Sequence, residues 1–84
     1  MKTITIYSTP TCHFCHMAKD YLTAHNTPFH DIDVSVDMVA RTEMIDMTGQ
    51  MGVPVIKIEE EGTEPVVMVG FNQKLIAESL GISE

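Results

Sequence analysis

Apolar and polar positions along the chain switch between strand and helix periods in an order that predicts seven elements. Ile4-Thr5-Ile6-Tyr7 reads as a strand, and Ser8-Thr9-Pro10-Thr11 as the break that ends it. Phe14, Ala18, Tyr21, Leu22 and His25 then recur at helical spacing, up to a turn at Asn26-Thr27-Pro28. His30, Ile32 and Val34 alternate with Phe29, Asp31 and Asp33, which gives a second strand. A strand, a helix and another strand in that order predict a parallel pair joined by a right-handed crossover.

Ser35 is placed to cap a second helix with Val36, Ala40, Met44 and Met47 on its apolar stripe, and Gly49 marks its end. The run from Met51 to Ile58 predicts a third strand with Pro54 near its start. Glu59-Glu60-Glu61-Gly62-Thr63-Glu64 reads as a turn, and Pro65 to Val69 as a fourth strand. So short a connection implies an antiparallel hairpin. Asn72 caps a last helix whose apolar face is Leu75, Ile76 and Leu80, closed by Gly81-Ile82. One domain over residues 1–84 is expected, since no repeat, low-complexity tract or linker interrupts the pattern.

Within this frame, Cys12-His13-Phe14-Cys15 opens the first helix just past the carboxyl end of a strand. Positions i and i+3 of a helix share a face, with Cβ atoms roughly 5–6 Å apart. A disulfide needs about 3.8 Å. A small local adjustment therefore makes or breaks the bond, which suits a redox switch. Free N–H groups and aligned dipoles at a helix start favour negative charge, and the thiolate is the reactive form of cysteine. Cys12, nearer the helix end, is expected to attack; Cys15, one turn inside, to resolve.

Composition narrows the compartment and the partners. The 84 residues carry a net charge of −7 and are 44% hydrophobic. That supports a packed domain and argues against nucleic acid, whose phosphates require clustered Lys and Arg. No apolar export segment or membrane-spanning run is present, so a cytoplasmic protein is expected, with no membrane partner. A lone cysteine pair in that compartment points to redox work or metal. All 12 acids fall after residue 19. If sequence neighbours were also spatial neighbours, an acid-free surrounding would favour the thiolates.

The order of elements, the Cys-x-x-Cys after the first strand, Val53-Pro54 and Gly70-Phe71 before the last helix resemble a glutaredoxin. More closely, the chain is similar to the small glutaredoxin-like redoxins, which include the reductants of ribonucleotide reductase. The resemblance implies an α/β thioredoxin-type fold: a four-stranded mixed sheet flanked by three helices, in the order βαβαββα. It implies a cis peptide bond at Val53–Pro54, which would present the Val53 backbone to an incoming peptide or glutathione as to an added strand. By the same resemblance Thr11, His13, Phe14, Val53, Pro54, Gly70, Phe71 and Asn72 form the substrate or glutathione site around Cys12 and Cys15. His13 stands where many glutaredoxins have proline, and Phe14 where Tyr is frequent. Phe14 is expected to pack beside the site and Met17 to line it.

The expected function is reduction of protein or glutathione-mixed disulfides by dithiol exchange, with ribonucleotide reductase among the possible substrates. No bound cofactor is expected. Reducing equivalents would come from glutathione or from a thioredoxin-reductase-type flavoprotein, and the working unit would be a monomer. Glutathione recognition is expected to be weak. Residues 8–11 carry no basic side chain, and Asn72 stands where the family often has Asp. A fully glutathione-dependent glutaredoxin is the alternative.

Two other classes share the motif. Cys12-His13-Phe14-Cys15-His16 fits the Cys-x-x-Cys-His pattern of c-type haem attachment, but a strand-rich chain without an export segment fits a cytochrome poorly. Zinc on Cys12, Cys15 and His13 or His16 would lack a usual fourth ligand within one chain. A cluster shared by two chains stands on the same grounds. No metal site is expected. The methionines read as core filling.

Overall fold

In the computed structural model, which describes residues 2–82, the elements run β1 (Lys2–Ser8), α1 (His13–Ala24), β2 (His30–Asp33), α2 (Met38–Thr48), β3 (Val55–Glu60), β4 (Val66–Val69) and α3 (Gln73–Leu80). The sheet order is β2-β1-β3-β4: β1 and β2 are parallel, and the other two pairs antiparallel. This is the expected four-stranded mixed sheet with three helices.

Register explains which side chains form the core. Ile4 pairs with Ile58 and Ile6 with Ile56, which pairs in turn with Met68, so one sheet face is continuously apolar. Ala18 and Leu22 of α1 and Ile76 of α3 pack on that face. The opposite face presents Tyr7 and Val55 to Ala40 and Met44 of α2. Helix α2 covers only the carboxyl half of β1. The strand accordingly alternates from Thr3 to Ile6, then is continuously buried to Ser8, where both faces are covered. The motif emerges from this doubly covered end.

The boundaries correct several expectations. Ser35 does not cap α2: its N–H and Oγ both donate to Asp33 Oδ1, at 2.9 and 2.5 Å, closing a local turn. Asp37 takes the cap instead, accepting from the Ala40 N–H at 3.0 Å. Val36 thereby falls outside the helix and is 75% exposed. Strand β3 starts at Val55 rather than Met51 and runs through Glu59 and Glu60, which were expected in the turn. Those two acids pair with Thr3 and Lys2 of β1, so the sheet overrides a low strand propensity. The buried face of α3 is Ile76 with Ala77; Leu75 is exposed. Gly49 and Gly81 end their helices with φ of 70° and 69°, the left-handed backbone that glycine adopts without strain.

The Asp37 bond is the N-terminal side-chain cap of α2. Asp37→Ala should therefore lower unfolding free energy by about 1 kcal/mol, read as a shift of the urea midpoint at unchanged slope. Among the described residues no helix is long and apolar enough to cross a membrane.

Candidate active site

The turn after β1 sets the position of both thiols. The Cys12 N–H donates to Thr9 O at 3.3 Å, and Cys12 O accepts from the His16 N–H at 3.2 Å, beginning the helical ladder. Cys12 is thus the residue ahead of α1, with extended backbone. Its sulfur takes the role a capping oxygen normally fills, accepting the Cys15 N–H at 3.1 Å. A backbone donor aimed at Sγ steadies negative charge on that sulfur.

The two thiols differ sharply in surroundings. Both are free; Cys12 is half-buried, whereas Cys15 is 0% exposed. Burial, followed by the hydrogen bond to Cys12 and its charge, pushes the Cys15 thiol up to about 12; a backbone bond from Thr9 and the charge of Lys19 act in the opposite sense. Cys15 therefore stays protonated near neutral pH. It is also part of the buried stripe of α1, with Ala18 and Leu22. Phe14 is not: it lies 57% exposed, edge-on to the exposed His13 ring at 5.6 Å. It presents an apolar ring to solvent at the motif rather than packing into the domain. Met17 is likewise exposed, and so is Thr11.

The Val53–Pro54 bond is cis. Pro54 is fully buried, and its carbonyl accepts the Gly70 N–H at 2.8 Å, which ties the loop before α3 to the proline. Gly70 has φ of 85°, a conformation unfavourable for residues with a side chain. Phe71 packs on the core and meets Tyr21 edge-on at 6.0 Å. The Asn72 side-chain oxygen accepts the Leu75 N–H at 3.0 Å, so Asn72 caps α3 as expected.

A groove of about 280 Å³ connects two of these segments: Thr9 from the motif loop and Val53 beside the proline both line it. Its walls are Val34, Met38, Met44 and Met51, with Arg41 as the cationic member. Sequence patterning placed Met44 in the core, where it is buried, but gave no signal for a groove that joins α2 to the segment before β3.

The acid-free segment of the sequence gains one acidic contact in space, because parallel pairing of β2 with β1 brings Asp31 to Ser8 and Lys19. Asp31 accepts from Ser8 Oγ at 2.6 Å and from Lys19 Nζ at 3.0 Å. Neither Ser8 nor Asp31 stood out in the sequence. His16 turns a ring nitrogen toward Pro10 O at 2.9 Å. Among the described residues, no group of three or more His, Cys, Asp or Glu side chains converges.

Comparison with known proteins agrees with this geometry. The glutaredoxin family model matches residues 4–62. A glutaredoxin-like 8.6 kDa protein from the rubredoxin operon of Clostridium pasteurianum is 46% identical over 70 residues, 83% of this chain and 87% of that one. Among solved structures, a point mutant of the thioredoxin-like protein BC3987 superposes with a TM-score of 0.83 at 28% identity, over 99% of this chain and 100% of that one. NrdH-redoxin from Escherichia coli, a glutaredoxin-like protein with a thioredoxin-like activity profile, superposes at 0.73 with 26% identity, over 90% and 92%. The sheet and helices thus form a thioredoxin-type fold.

Proposed function

The chain belongs to the glutaredoxin family, and from that premise we propose that it is a dithiol oxidoreductase that reduces protein disulfides through Cys12 and Cys15. The observation that carries this reading is the asymmetry of the pair: a reachable sulfur accepting a helix-start N–H, beside a buried thiol one turn on. Cys12 thiolate attacks a substrate disulfide, forming the mixed disulfide and releasing the first substrate thiol. Cys15 then attacks Cys12 Sγ and releases the second. Two electrons pass to the substrate, and the protein is left with a Cys12–Cys15 disulfide. Burial of Cys15 keeps bulky disulfides away from it, so its accessible partner is Cys12. The groove from Thr9 to Val53 gives the substrate chain an apolar seat.

The donor that restores the dithiol is argued from charge. The Asn72 side chain is engaged with Leu75 and carries no full negative charge for the γ-glutamyl ammonium of glutathione. The first turn of α3 holds no acid. Losing a charge-assisted hydrogen bond costs about 1.5–3 kcal/mol, roughly tenfold or more in affinity. A thioredoxin-reductase-type flavoprotein is therefore the proposed donor, in line with the thioredoxin-like profile of the Escherichia coli relative. One observation favours the glutathione-dependent alternative: Arg41 on the groove offers a guanidinium for a carboxylate. The two are separated by recycling the oxidised protein with glutathione plus its reductase and, separately, with thioredoxin reductase. Recycling at least about tenfold faster by thioredoxin reductase is expected; efficient recycling by glutathione alone would reverse the choice.

A further inference from the structure

One helical turn on from the resolving thiol begins a polar network that the exchange, as described so far, does not use. Ser8, buried at the end of β1, donates to Asp31 Oδ1, while Lys19 of α1 donates to Asp31 Oδ2. Three elements meet in these two bonds at the carboxyl end of the parallel strand pair. Lys19 stands four residues after Cys15, so the two side chains share one face of α1. The Lys19 side chain is 20% exposed and that of Asp31 42%, so the pair is partly withdrawn from solvent. A surface lysine ordinarily keeps most of its rotamer freedom. This one is tied to Asp31 and stands one helical turn on from the resolving thiol.

We propose that Lys19, clamped by Asp31 and Ser8, is a positioning residue for the resolving step: its fixed ammonium stabilises the Cys15 thiolate that attacks the mixed disulfide. The proposal rests on the dithiol reading above. In that step Cys15 Sγ gives up its proton and bonds to Cys12 Sγ. The Cys12–substrate bond breaks with its electron pair on the leaving sulfur, which takes up a proton. No outside oxidant or reductant is needed.

The charged surroundings agree. Of the groups acting on Cys15, the charge of Cys12 opposes ionisation and that of Lys19 favours it. Once Cys12 is tied up in the mixed disulfide it carries no charge, and Lys19 remains. At the far end of the network, burial raises the Asp31 carboxyl. Bonds from Ser8 and Lys19, with the charges of Lys19 and His16, outweigh this and hold it below the usual range. The Asp31 end of the clamp is therefore a carboxylate near neutral pH.

The test uses dithiobis-nitrobenzoate, whose coloured thiolate is released once when Cys12 attacks and again when Cys15 resolves. Stopped-flow traces across pH 6–10 on wild type, Lys19→Gln and Lys19→Arg give both rates for each protein. Loss of the ammonium is expected to displace the pH profile of the second release upward by about one unit. That lowers the thiolate fraction about tenfold at a given pH; the gain in nucleophilicity of a more basic thiolate returns part of it, leaving about a threefold slowing relative to the first release. Lys19→Arg should restore the rate and the profile. The proposal is overturned if Lys19→Gln leaves the second release and its pH profile at wild-type values, or if Lys19→Arg is as slow as Lys19→Gln. A wild type that releases one equivalent and never a second would overturn the dithiol reading itself.

Discussion

Replacing Cys12 by serine is expected to reduce protein-disulfide reductase activity to background, a loss of about a thousandfold or more. The remaining thiol, Cys15, is fully buried, and burial pushes it well up, so little of it is thiolate at pH 7. Removing Cys12 also removes its own contribution to that shift, but burial, the largest cause, stays. The higher nucleophilicity of a basic thiolate recovers only part of the deficit. The fold is expected to survive, because serine is itself a preferred residue ahead of a helix and can accept the Cys15 N–H. Insulin reduction with a saturating donor, alongside a thermal unfolding curve, checks both points.

Cys15→Ser should do something different: the first attack proceeds and the second step is lost. The chain has two cysteines, so no other thiol can resolve the adduct. One equivalent of substrate is then held covalently on Cys12, and steady-state turnover without added thiol falls by at least about a hundredfold. Intact-mass analysis should show the adduct accumulating to one per chain. A buried hydroxyl without a partner costs about 1–3 kcal/mol, so Cys15→Ala, which places no polar group there, serves as the folding control. Continued turnover by either variant would mean that resolution does not depend on Cys15.

What could be read from the sequence was what is decided locally. The helix-ending glycines at 49 and 81, the Asn72 cap and the hairpin after β3 follow from residues within a turn of one another, and the structure has them as expected. Ser35 shows the limit of such reading. Its hydroxyl is captured by Asp33 two residues back, and the cap passes to Asp37. Competition between two nearby acceptors is a matter of angles, which the sequence does not state. Phe14 falls at helical spacing with Ala18 and Leu22, yet the buried member of that turn is Cys15. A cysteine and a phenylalanine in adjacent positions do not reveal which one faces the sheet.

The site was legible for similar reasons and incomplete for others. Cys12 and Cys15 announce themselves by spacing, and Val53-Pro54 by resemblance. The partners of Lys19 do not, because they lie on other elements. Asp31 is 12 residues away along the chain, and parallel pairing of Ser8 with Asp33 brings β2 alongside the end of β1. Arg41 reaches the groove on a helix assembled against the opposite sheet face. Acidic residues counted along the chain consequently miss the contact of Asp31 with Ser8 and Lys19, which strand pairing makes.

The central claim is the order of attack, and an acid-quenched time course reads it directly. Reduced wild-type protein is mixed with a peptide disulfide, quenched at intervals, and the linkages are mapped by mass spectrometry after digestion. The account predicts a transient adduct on Cys12 alone, decaying into a Cys12–Cys15 disulfide with release of the reduced peptide. An adduct first found on Cys15, or two thiols that stay reduced while the peptide disulfide persists, would contradict it.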